Sequence, residues 1–120
     1  MSSMLRRRWG RIALMFAIPI VAALVVARSS YKNTVIRAQE QALRTNLLRL
    51  RDGIDQFAAA TGRCPDSLRS LQDARYIRAV PIDPITKSAT TWRFTQSAIG
   101  CDVKSGSPQR ALDGTRYAEW

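Results

Sequence analysis

Residues 36–57, IRAQEQALRTNLLRLRDGIDQF, decide how this chain reads. Ile36, Leu43, Leu47, Leu50, Ile54 and Phe57 recur at alternating steps of four and three residues once the gap at Glu40 is counted. That spacing places them on one face of a helix. Ala38, Ala42 and Leu48 are expected to widen the stripe, while Arg44, Arg49, Arg51, Asp52 and Asp55 fall on other faces. Gly62 suits the position just past a helix end, and Pro65 blocks continuation. An amphipathic helix over residues 29–62 follows. Its stripe covers only about three heptads, so it is expected to pack on a small sheet rather than form a coiled-coil dimer.

Upstream lies a different kind of segment. Ile12 to Ala27, IALMFAIPIVAALVVA, is 16 residues without a charge. As a helix it rises about 24 Å, short of a bilayer core of about 30 Å. Trp9 and Gly10 extend it, and Arg11 and Arg28 can reach outward with their charged ends. Pro19 does not separate a membrane anchor from a signal peptide, since both tolerate a kink. Two readings compete. Residues 12–28 are a transmembrane anchor, or Arg6 to Arg8, Ile12 to Leu24 and Val25-Val26-Ala27 are the three regions of a cleavable signal peptide. Shortness favours cleavage. The helical pattern that resumes almost at once after Ala27 favours the anchor, which is the expectation adopted.

The charge is unevenly placed. The chain has 120 residues, 19 Lys+Arg against 9 Asp+Glu and no histidine. Seven positives, Arg6, Arg7, Arg8, Arg11, Arg28, Lys32 and Arg37, precede the first acid, Glu40; the remaining 12 positives face 9 negatives. The imbalance therefore belongs to the N-terminal arm. Arg6-Arg7-Arg8 beside an apolar run is the bias that holds an N-terminus in the cytoplasm. A nucleic-acid binder would carry its basic surface on the domain, so no nucleic-acid partner is expected. Without histidine, most triads and catalytic zinc sites are excluded. No phosphate-binding glycine loop is present. An enzyme is not expected.

After Gly62 the texture changes. Residues 65–77, PDSLRSLQDARYI, suggest a short helix capped by Asp66 or Ser67, with Leu68 and Leu71 turned inward. Val80 to Thr86, VPIDPIT, holds two prolines and reads as a rigid extended turn. Thr90 to Thr95 and Ile99 to Lys104 have strand texture, joined through Gln96-Ser97-Ala98. Ser105 to Trp120 is expected to be mostly loop. Trp92, Phe94, Tyr76, Tyr117 and Trp120 read as packing aromatics. The fold class is α+β, a long helical spine packed on a small antiparallel sheet. The organisation is a basic leader (1–11), a transmembrane helix (12–28), an amphipathic helix (29–62) and a globular α+β part (63–120).

These residues carry a resemblance. A basic leader, an apolar helix and an amphipathic helix lead into GRCPDSLRSL, then AVPIDPIT followed by TTW, then CDVKSGS, and end in ALDGTRYAEW. In that order, over roughly residues 31–120, the chain resembles the type IV pilin-like proteins, specifically the major (G-type) pseudopilins of type II secretion. The resemblance implies a single-pass protein of the bacterial inner membrane. Its N-terminus would be cytoplasmic and its C-terminal domain periplasmic. It also implies partners, namely other pseudopilin subunits in a homo- or hetero-filament, an inner-membrane assembly platform and membrane lipid. The filament helps move proteins across the outer membrane. Ile36, Leu43, Leu47, Leu50, Ile54 and Phe57 would then lie on the packing helix of the subunit.

At the N-terminus the family's prepilin peptidase site has its nearest counterpart in Gly10-Arg11-Ile12-Ala13-Leu14-Met15. Cleavage would fall between Gly10 and Arg11. Arg11 replaces the family's phenylalanine, and Met15 stands where the family has a glutamate. The family often binds calcium in the C-terminal loop. Here that loop is Ser105 to Gln109, and only Asp102 and Asp113 remain as weak candidates. Both are expected to be turn and cap residues, and no cofactor is expected. Cys64 and Cys101 are the only cysteines. An even count in an exported domain suggests a disulfide, against the alternative of two buried thiols. A soluble periplasmic adaptor released after Ala27 is the other functional reading.

Overall fold

The structure, a computed structural model, describes residues 2–120. One helix, α1, runs from Ser2 to Thr61, and it contains Pro19. The chain divides into two compact units, one up to Val35 and one from Ile36 to Trp120.

The first unit is helix alone. Its side chains from Ser3 to Val35 are exposed, including every large apolar residue from Ile12 to Val26. Alanine, leucine and methionine favour helix, and the β-branched residues here cost it little. Pro19 cannot donate the bond to the carbonyl one turn earlier, yet the helix continues through it.

The second unit is α+β. Leu43, Leu47, Leu50, Ile54 and Phe57 on α1 are all buried. Each buried side chain of this size contributes about 1.5–3 kcal/mol. Across from them lie Leu68 and Leu71 of α2 (Leu68–Asp73), then Trp92, Val103, Ala111 and Tyr117. Strands β1 (Arg93–Ser97) and β2 (Gly100–Lys104) pair antiparallel, with Phe94 opposite Val103 and Gln96 opposite Cys101. A single 3₁₀ turn at Tyr117–Glu119 closes the described chain. The long helix with a small antiparallel sheet is therefore present as expected.

α1 stops where its composition says it should. Gly62 has φ +73° and its amide bonds the Ala58 carbonyl at 2.8 Å. Only glycine takes that conformation without strain. Ser67 caps α2, its hydroxyl accepting from the Ser70 amide at 3.2 Å. α2 is shorter than the 65–77 segment suggested. Pro65 cannot lie within the helix, and Arg75 takes φ +63°, which ends it.

Several boundaries differ from the sequence reading. β1 begins at Arg93 rather than Thr90 and extends through Gln96 and Ser97, so the hairpin connection is Ala98-Ile99. Two-residue connections suit the twist of antiparallel strands, and Ile99 at the tip is 99% exposed. Thr90 and Thr91 instead belong to the preceding turn, where Thr90 bonds Ser88 and the Thr91 hydroxyl meets that of Thr86 at 2.6 Å. Ala38, Ala42 and Leu48 do not widen the buried stripe. All three are exposed, Leu48 at 66%, because the covering layer reaches only one side of α1. Ile36 is half-buried at the edge of the unit.

Candidate functional site

Two regions of the molecule have features that call for a function. In the first unit, the run Ile12 to Ala27 presents apolar side chains around the whole helix, with none buried. It is the one helix among the described residues long and apolar enough to cross a membrane. Trp9 and Tyr31 stand at its two ends, where amphipathic rings favour a membrane–water interface. Gly10 and Arg11, the cleavage candidates, are both helical and exposed.

In the second unit the notable feature is a set of polar fastenings between segments distant in sequence, two of them made to α1. Arg51 is the centre of one. Its Nε donates to Asp102 Oδ1 at 2.9 Å, and its Nη2 donates to the backbone oxygens of Val103 (3.0 Å) and Trp120 (2.6 Å). A planar guanidinium serves these three acceptors from two fixed nitrogens, whereas an ammonium has to donate from a single point. Glu40 forms a second. Its Oε1 accepts from the Leu112 amide at 2.8 Å and the Tyr117 hydroxyl at 2.9 Å. The gap in the apolar stripe is thus filled by a carboxylate that binds the C-terminal loop. Burial, and then the neighbouring Glu40, push the Tyr117 phenol up to about 12.

Asp83 is a third fastening, and it is fully buried. Oδ1 accepts from the amides of Ile85 (2.8 Å) and Thr86 (3.3 Å), and Oδ2 accepts from the Ser105 hydroxyl at 2.5 Å. Ser105 in turn accepts from the Ser107 amide at 3.2 Å. A buried carboxylate is tolerable only with such a complement of donors. Pro84 pre-sets the turn, and Trp92 Nε1 donates to the Pro81 carbonyl at 2.7 Å, so the two-proline segment is held at both ends. Gly106 lets this loop pass beside Thr91: a Cβ there would lie 1.9 Å from the Thr91 carbonyl oxygen.

The Cys64–Cys101 disulfide joins the segment after α1 to β2, with Cα atoms 6.0 Å apart. Gln96 Nε2 reinforces that junction, donating to the Pro65 carbonyl at 2.7 Å. Phe57 and Tyr76 pack edge to face at 5.7 Å, as do Tyr117 and Trp120 at 5.1 Å. The Arg44 guanidinium lies 4.3 Å from the Trp120 ring centre.

The calcium candidates are engaged elsewhere. Asp102 bonds Arg51 and the Val103 amide. Asp113 accepts from both the amide and hydroxyl of Thr115, which, the hydroxyl foremost, hold its carboxyl below the usual range. Among the described residues no three acidic or cysteine side chains gather where a metal could sit. This donor set does not fit calcium.

The stripe residues Leu43, Leu47, Leu50, Ile54 and Phe57 lie inside the core of their own unit. They hold the globular part on α1 and leave its opposite side exposed. The sequence reading missed the roles of Arg51, Glu40 and Ser105. Only Glu40 left a signal, as the one break in an otherwise regular stripe. Comparison with family models, with curated proteins and with solved structures finds no match.

Proposed function

We propose that this chain is a pilin-like structural subunit of a type II secretion pseudopilus or related filament, one that helps move proteins across the outer membrane. The observation that carries the reading is α1 itself. A single helix bears an all-round apolar run and then a one-sided stripe that anchors a disulfide-linked α+β unit. The first half has the character of a membrane segment and the second of a rigid support. The ordered motifs from GRCPDSL to ALDGTRYAEW support the same reading.

The role is mechanical. The chain sits in the inner membrane with its N-terminus in the cytoplasm and its globular unit in the periplasm, until an assembly platform draws it into a fibre. Met15 offers no carboxylate for a neighbouring amino terminus, so copies associate through apolar packing of the membrane helix. Single cysteines placed at Leu14 or Val21 test this by oxidative cross-linking in native membranes. Each single-cysteine chain is expected to give covalent dimers, and a chain carrying cysteines at both positions a ladder of higher multimers. Monomers only, at both positions, would overturn the filament reading.

A further inference from the structure

We propose that the basic flanks of the apolar run form a binding surface for anionic phospholipid headgroups. The proposal rests on the membrane reading of residues 12–27 and adds a lipid class to it. Arg6, Arg7, Arg8 and Arg11 are all helical and exposed. At 3.6 residues per turn they cover a little over half the circumference, within about 8 Å along the axis. Trp9 occupies the remaining side. On the far flank Arg28 and Lys32 share one face, with Tyr31 beside them.

Nothing in this segment neutralises that charge. No acid precedes Glu40, and the two ion pairs among the described residues, Arg51–Asp102 and Arg63–Asp66, both lie in the second unit. The helix rise from Arg11 to Arg28 is about 26 Å, less than a hydrocarbon core of about 30 Å. The two collars are thus drawn in to the depth of the headgroup phosphates rather than held beyond them. A guanidinium binds a phosphate through two parallel N–H···O bonds. Zwitterionic lipids offer the same phosphate but place a cation beside it, so lipids with net negative charge are preferred. Nucleic-acid phosphates share the chemistry, but a basic collar that borders an uncharged apolar helix is placed at a bilayer surface.

Trp9 reports on its own surroundings. The full chain is reconstituted in vesicles of zwitterionic and anionic phospholipid in equal parts, with brominated acyl chains on one class at a time. The Trp9 signal is the difference from the Trp9→Phe variant. Bromine on the anionic class is expected to quench Trp9 about two- to threefold more than bromine on the zwitterionic class, with the advantage lost in high salt. It is also expected to vanish when Arg6, Arg7, Arg8 and Arg11 are all changed to Gln. Equal quenching by the two classes would overturn the proposal and leave the membrane reading standing. No quenching by either would overturn both. A preference that survives the fourfold substitution, or binding of single-stranded DNA in place of lipid enrichment, would overturn the assignment to these arginines.

Discussion

Residues 12–27 and 43–57 belong to the same helix and are both rich in apolar side chains, yet they do opposite things. In the first stretch the apolar residues surround the axis and every one is exposed. In the second all but Leu48 keep to one face, and the layer of α2, the hairpin and the C-terminal loop covers that face. The difference lies in angular distribution and not in content. A helix apolar all round needs cover on every side, which no described residue of this chain supplies, whereas a striped helix needs it on one.

The same substitution at a matched residue breaks the comparison most directly. Leu50→Ala should cost the second unit about 3–5 kcal/mol, since Leu50 is fully buried. Leu24→Ala should leave that stability within about 0.5 kcal/mol, because Leu24 is exposed. Denaturant unfolding followed by Trp92 emission measures both. Equal losses would mean the two stretches share one environment.

Next in size is the covalent link. Changing Cys64 and Cys101 together to Ser removes a bridge spanning 37 residues, and about 3–4 kcal/mol is expected to go with it in the chain-entropy model. Urea titration of oxidised and double-Ser chains gives the difference. A loss confined to the second unit sharpens the contrast, since the first unit contains no cysteine.

Arg51→Ala follows. It deprives Asp102 and two backbone oxygens of their donor, at a cost of about 2 kcal/mol. Arg51→Lys should recover less than half, because an ammonium has to donate from a single point. Full rescue by Lys would show that charge, and not the fork, does the fastening.

The smallest effect belongs to Tyr117. In the fold its phenol is pushed up to about 12 by burial and by Glu40. The folded state therefore holds the proton more tightly than the unfolded chain. The associated stability is fully present below about pH 10 and lost as pH rises toward 12. Tyr117→Phe should cost about 1 kcal/mol at neutral pH and flatten the decline in that alkaline window. A decline unchanged in Tyr117→Phe would assign it to other groups.

The period of the stripe was enough to place the long helix and five of its buried residues, and Gly62 and Pro65 marked its end. The two strands were legible from their β-branched and aromatic texture, but their boundaries were not. Thr90 and Thr91 have strand propensity, yet they are drawn into the Asp83 turn through hydroxyl bonds that depend on three-dimensional proximity. Leu48 was misread because helical spacing says which residues share a face and not how wide the covering layer is. Arg51 and Ser105 were invisible for a similar reason. Their partners lie 51 and 22 residues away, and nothing local distinguishes them from surface polar residues. Glu40 shows the opposite case, since a polar residue at an apolar position points to a specific partner.

The central claim is that residues 12–27 remain in the bilayer while the unit from Ile36 to Trp120 lies on the oxidising side. Intact-mass analysis of the chain after alkaline washing of membranes, with thiol alkylation before extraction, tests both parts together. The account predicts a washed-membrane species that retains Ile12 to Ala27, whether or not it is cut after Gly10, with Cys64 and Cys101 unalkylated. A soluble species that starts at Arg28, or one alkylated at both cysteines, would contradict it.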